Sequence, residues 1–154
     1  MTEIQFYHLE RRTPEQALPA LVEEAFGQNI KVIVEAPDRE LIERIDDRLW
    51  SFSDESFLPH AIADASVDES QQILLTTTSD NRNGATLRVL LGGAKVAPCL
   101  AAAPTAYDRI VVLFNGSDEE EIASARAQWA ELRAAGVSVS YWRQVDGGGW
   151  AKVR

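Results

Sequence analysis

The stretch Ile110-Val111-Val112-Leu113-Phe114-Asn115-Gly116-Ser117-Asp118-Glu119-Glu120 decides the fold. Its first five residues are apolar and show no polar alternation. A strand with one wet face alternates. A strand buried on both faces does not, and such strands belong to parallel sheets with helices packed on either side. After a short turn, Ser117-Asp118-Glu119-Glu120 has the form of a capping box, with acids at the positive end of the helix dipole. The helix it starts is predicted to run to about Ala135 and to stop at Gly136.

The same unit recurs outward from this point. Ile30-Lys31-Val32-Ile33-Val34 is a β-branched run that reads as a buried parallel strand. Asp38 caps a following helix whose Leu41, Ile42, Ile45 and Leu49 form one core-facing stripe. Glu3 to Leu9 reads as a first strand, followed by Thr13-Pro14-Glu15-Gln16, a second capping box with proline at the first helical position. Pro19 conflicts with that start, because an interior proline removes a hydrogen bond; it predicts a kink or a later beginning. Ile73 to Thr77 and Leu87 to Leu91 read as further strands. Val137 to Trp142 is another, and Trp150 to Val153 a short hairpin partner beyond Asp146-Gly147-Gly148-Gly149. The alanine- and proline-rich segment from Gly92 to Tyr107 reads as a surface loop or one irregular helical turn. The expected architecture is one α/β domain over residues 1–154, a three-layer Rossmann-like sandwich around a mostly parallel sheet.

Composition narrows the function. The chain has 154 residues, 45% hydrophobic and 25% charged, enough for one domain with a substantial core. One cysteine, Cys99, excludes an internal disulfide framework, and with only two histidines a zinc site is not expected. No secretory leader is read at Met1 to Phe6, and no apolar run approaches the roughly 20 residues that span a bilayer, so a cytoplasmic protein without a membrane partner is expected. The formal net charge is −9. Residues 122–154 carry +3 (Arg126, Arg133, Arg143, Lys152 and Arg154 against Glu131 and Asp146), which leaves −12 on the rest. Such a body repels phosphate backbones, and direct nucleic-acid binding is not expected.

Catalytic patterns are missing. There is no G-x-x-x-x-G-K-[ST], no G-x-G-x-x-G after the first strand, no G-x-S-x-G and no H-E-x-x-H. The expectation is no catalytic residue, no cofactor and no metal. The alternative is an α/β enzyme that binds a small ligand at the carboxyl ends of the strands, near His8 and the Pro37 or Asn115 loops.

Two aromatic placements stand out. In the last helix Ile122, Arg126, Trp129 and Arg133 lie within about 60° of one another. Spacing leaves two readings open: a stripe that holds an apolar side chain against Trp129 while arginines meet carboxylates, or a tryptophan packed on the sheet beneath solvated arginines. In Leu49-Trp50-Ser51-Phe52-Ser53-Asp54-Glu55-Ser56-Phe57-Leu58-Pro59-His60, Trp50 points away from its own helix's core stripe.

The residues Phe6-Tyr7-x-Leu9, Leu49-Trp50, Glu55 to His60, the helix with Arg126, Trp129, Arg133 and Gly136, and Ser140-Tyr141-Trp142 together resemble the chi subunit of bacterial DNA polymerase III. The resemblance implies a clamp-loader accessory subunit, not an enzyme. It implies that Arg126, Trp129 and Arg133 take the acidic C-terminal tail of single-stranded-DNA-binding protein, and that Trp50 and Phe57 face the psi subunit or a helicase-like alternative partner. Where this helix has Trp129 and Ala130, that family often has tyrosine and lysine, so Arg143 or Lys152 is a candidate replacement for the missing cation. The segment Gly84 to Tyr107 exceeds what the resemblance covers.

Overall fold

The computed structural model describes residues 2–52, 58–63, 68–144 and 149–153. The described strands are β1 (Glu3–Leu9), β2 (Val32–Glu35), β3 (Ala61–Ile62), β4 (Ile73–Thr76), β5 (Leu87–Leu90), β6 (Arg109–Asn115), β7 (Val139–Gln144) and β8 (Trp150–Lys152). They form one sheet in the order β3-β4-β2-β5-β6-β1-β7-β8. Every pairing is parallel except that of β7 with β8. The helices are α1 (Pro14–Gly27), α2 (Arg39–Ser51), α3 (Val96–Ala102) and α4 (Glu119–Ala134).

Alternate residues of the continuous apolar strands feed two cores. Val32, Val34, Leu87, Val89, Val111 and Leu113 pack with Leu18 and Val22 of α1 and Leu41 and Ile45 of α2. Ile4, Phe6, Leu90, Ile110, Val112 and Phe114 pack on the other side with Val96 and Cys99 of α3 and Ala125 of α4. This is the expected three-layer sandwich, with α1 and α2 on one face and α3 and α4 on the other.

Local signals explain most of the boundaries. Thr13 caps α1 in a complete capping box, and Asp38 caps α2 by accepting from Leu41 N at 2.8 Å. Pro19 neither delays nor ends α1; it is buried in the helix interior, and the helix forgoes the one bond that proline cannot donate. The cap of α4 is Asp118 rather than Ser117: Asp118 Oδ1 accepts from the backbone of Glu120 at 3.0 Å and of Glu121 at 3.2 Å.

The Gly92 to Tyr107 segment is a further correction. It is no surface loop: it contains the seven-residue α3, with Val96, Cys99 and Tyr107 buried. Its first free N–H, at Val96, donates to the side-chain oxygen of buried Gln128 in α4 at 2.8 Å, so the two helices on this face hold each other. The preceding strand β5, expected over Leu87 to Leu91, is a central strand between β2 and β6.

Candidate functional site: a basic, aromatic-walled notch

The alternative ligand site would lie at the carboxyl ends of the parallel strands. Two places in that region are filled. At the ends of β1 and β6, buried His8 packs against Phe114 with ring centroids 5.0 Å apart. A Cβ on Gly116 would come within 2.4 Å of His8 Nε2 and 2.7 Å of the Leu9 carbonyl oxygen. At the ends of β2 and β5, a Cβ on Gly92 would come within 2.6 Å of Leu41 Cδ2 and 3.1 Å of Pro37 Cδ. Both places are occupied by packed side chains rather than a cleft.

Between them lies Arg88, fully buried on β5. Its Nε and Nη2 donate to Glu35 Oε1 at 3.1 and 2.6 Å, and Nη2 donates to the Thr78 carbonyl at 2.6 Å. Its Nη1 donates to the Asp80 carbonyl at 3.0 Å and to Tyr107 Oη at 2.8 Å. These five contacts match the five N–H donors of a guanidinium, so the cation is internally consumed. The chain between β4 and β5 runs over the sheet face at this point, and Asn83 pins it by donating to the carbonyls of Val32 (3.2 Å) and Gln71 (3.0 Å). Cys99 is no nucleophile here: burial pushes its thiol up to about 11.

An open cavity lies beside the carboxyl ends of β1 and β7, on the margin between α4 and the β7–β8 hairpin. Its volume is about 460 Å³, and Arg126, Trp129, Tyr141, Arg143 and Val153 line it. That volume lies within the range typical of small-ligand pockets, roughly 300–1,000 Å³. Trp129 is half-buried at the edge of the second core, and Tyr141 packs there as well. The Arg133 guanidinium lies over the indole, 4.9 Å from its centroid, and so covers a ring face rather than lining the cavity. Arg126 is exposed and makes no ion pair among the described residues.

The sheet register places the two candidate cations on opposite faces. Directly paired residues share a face. Trp142 pairs with Lys152, and Trp142 stacks on Tyr7 on the α1 side, so Lys152 sits on the face away from the cavity. Arg143 lines the cavity and donates from Nε to Glu10 Oε1 at 2.6 Å. The hydroxyl of Tyr141 lies 2.7 Å from His8 Nδ1 in a hydrogen bond. Burial, and then the Arg143 cation, hold His8 below the usual histidine range; Glu10 opposes this and Arg126 adds to it. Val153 is a lining residue that the sequence reading did not single out, and Tyr141 figures there only in the family resemblance, not as a site residue. The alternation of Val137 to Trp142 and the expected hairpin were the signals for their place in the sheet.

The register also separates the tryptophans. Trp129 stands on the cavity side, whereas Trp142 and Trp150 flank Tyr7 on the opposite face, with Trp150 at 4.8 Å from the Tyr7 ring. They form no common stacking platform for a single strand.

On α2, Trp50 is 48% exposed, as its position off the stripe predicts, while Phe52 packs on the core and Leu58 is buried. The indole rests on buried His60, with ring centroids 4.1 Å apart. His60 Nδ1 donates to the Leu58 carbonyl at 2.6 Å, and Nε2 lies 3.1 Å from Asp46 Oδ1. Phe57 lies outside the described residues. Among the described residues no group of three metal-ligating side chains occurs, and no helix is long and apolar enough to cross a membrane.

These features define the class: a Rossmann-like sandwich with packed side chains at the ends of β6 and of β2 and β5, and an open, basic, aromatic-walled cavity towards one edge of the sheet. The solved C-terminal domain of S. cerevisiae Dbp5, bound to Gle1 and IP6, has the same fold at a TM-score of 0.55 and 12% identity, over 90% of this chain and 88% of that one. Residues 1–140 match the DNA polymerase III chi subunit (HolC) family, and the chain belongs to it, a family of non-catalytic accessory subunits. It is 34% identical over 67 residues to DNA polymerase III subunit chi of Pseudomonas aeruginosa, a match spanning 42% of this chain and 47% of that one. It is 24% identical over 117 residues to the probable chi subunit of Rickettsia prowazekii, over 75% of this chain and 71% of that one.

Proposed function

We propose that this chain is a replisome accessory subunit that links the DNA polymerase III clamp loader to the acidic C-terminal tail of single-stranded-DNA-binding protein. Family membership supports the replisome setting. The observation that carries the tail-binding half is the cavity itself: an indole, a phenol and Val153 around a space beside Arg126, a guanidinium with no ion pair among the described residues. A peptide that ends in an apolar residue with a free carboxylate meets both needs. The +3 of residues 122–154 attracts such a tail, while the −12 of the remainder disfavours DNA itself. Arg133 contributes by holding the indole at 4.9 Å.

Titration of a fluorescent acidic tail peptide tests this. Arg126→Ala is expected to weaken binding by about 1–3 kcal/mol, the range for a charged hydrogen-bond partner, and added salt is expected to weaken the wild-type complex. An unchanged isotherm removes Arg126 from the site, and salt-insensitive binding removes the electrostatic account.

The second surface is centred on Trp50, with Phe57 assigned to it from the family resemblance. An exposed indole on a rigid helix, braced by His60, has the character of an interface anchor for psi or a helicase-like partner. Trp50→Ala is expected to abolish co-purification with clamp-loader subunits and to leave tail-peptide binding unchanged. Loss of both activities, or of neither, counts against two separate surfaces.

A further inference from the structure

The cavity contains two guanidiniums in different electrostatic states. Arg126 projects from α4 with no ion pair among the described residues. Arg143 projects from β7 and is held by Glu10, through Nε at 2.6 Å and again through Nη2. Glu10 immediately follows β1, the strand between β6 and β7, so the parallel register brings its carboxylate to the mouth of the cavity. The same Oε1 lies 3.9 Å from Nε2 of His8, whose Nδ1 holds Tyr141, another lining residue. A carboxylate belonging to the protein thus already occupies one of the two cations that an acidic peptide would seek.

We infer that Glu10 is a specificity-determining residue of the notch. It satisfies Arg143, leaves Arg126 as the available cation, and sets the site to read one carboxylate beside an apolar side chain while gaining nothing from a second. A peptide bearing an additional acid next to its end must share Arg143 with Glu10, and two like charges around one guanidinium repel. Glu10 and Arg143 both remain partly exposed, so the pair can be opened without unfolding the protein. The inference rests on the tail-binding reading.

The test uses two synthetic acidic peptides, each ending in phenylalanine with a free carboxylate, with aspartate or asparagine as the penultimate residue. Wild type is expected to bind the two within about twofold. Glu10→Gln frees Arg143 and is expected to tighten the aspartate peptide by about two- to fivefold, the range of exposed ion pairs, with a steeper salt dependence and little change for the asparagine peptide. Glu10→Gln combined with Arg143→Ala is expected to lose that gain. If Glu10→Gln binds both peptides as wild type does, Glu10 sets no specificity and the inference fails alone, with the tail-binding reading intact. If Glu10→Gln tightens both equally, or the gain survives Arg143→Ala, overall charge is responsible and the inference fails. If wild type binds neither peptide at low salt, the tail-binding reading fails and takes the inference with it.

Discussion

Removing the Glu35 carboxylate is the most demanding test of the claim that the ends of β2 and β5 are packed shut. Glu35→Ala takes away the acceptor for two Arg88 donors, at 3.1 and 2.6 Å, and leaves a fully buried guanidinium without its counter-ion. Stranding one partner of a buried ion pair costs about 3–5 kcal/mol, a large part of a total stability that is typically about 5–15 kcal/mol. At about 2–4 °C per kcal/mol for a domain of this size, the melting temperature should fall by roughly 6–20 °C. The double variant Glu35→Ala with Arg88→Met should recover part of the loss, because an apolar chain of similar length no longer needs a partner. Recovery should be incomplete: the Thr78 and Asp80 carbonyls and the Tyr107 hydroxyl lose their donor as well. Urea unfolding followed by circular dichroism, with calorimetry as a second probe, measures both. A single-variant cost below about 1 kcal/mol would mean that water reaches Arg88. Those strand ends would then be open, and a small-ligand site there would return as a contender.

Further expectations follow from the same packing. Gly116→Ala forces a Cβ to within 2.4 Å of the His8 ring and should cost about 1–3 kcal/mol, seen as a lower urea midpoint. The Cys99 thiol, pushed up to about 11 and buried, should be silent to a thiol-reactive dye in the native protein and react on unfolding; rapid native labelling would refute its burial. His8 is held below its ordinary value of 6.5, so the unfolded chain takes up that proton first. Its contribution is therefore present above about pH 6.5 and is lost as pH falls through the lower folded value. Unfolding midpoints between pH 7.5 and 5 should drop less in His8→Gln than in wild type, and parallel curves would exclude the effect. Arg133→Ala should weaken tail binding less than Arg126→Ala, because Arg133 acts on the indole and does not line the cavity.

The parts of the fold that were readable share one property: the signal is local. Val32 to Val34 and Ile110 to Phe114 are continuous apolar runs that a two-sided burial demands. The stripe Leu41, Ile42, Ile45 and Leu49 is buried as helical spacing requires, and Thr13 and Asp38 are capping side chains at the chain positions where helices begin. What escaped depends on distant partners. β3 is two residues long and exists only because β4 offers it an edge. α3 follows Lys95, whose side chain makes no capping bond; the N–H of its first residue, Val96, is met by Gln128, 32 positions later. Arg88 inside Leu87 to Leu90 looks like a solvent-facing position until Glu35, 53 positions earlier, is brought beside it. The candidate notch divides in the same way. Helical spacing placed Arg126 and Trp129 together. Tyr141, Arg143 and Val153 reach them only through the strand order and the β7–β8 register, and Glu10 reaches Arg143 by a similar route.

The position of β1 has a consequence for how the chain matures. Its two neighbours, β6 and β7, both arrive more than a hundred residues later, as the pairings Ile4 with Ile110 and Ile4 with Val139 record. At synthesis rates of about 5–20 residues per second, the first strand waits roughly 5–20 s for a partner. Until then Ile4 and Phe6, which end up with no exposed surface, are sticky, unpaired sequence on a growing polypeptide. Early chaperone engagement, and slow refolding dominated by this one long-range closure, are what such a connectivity demands.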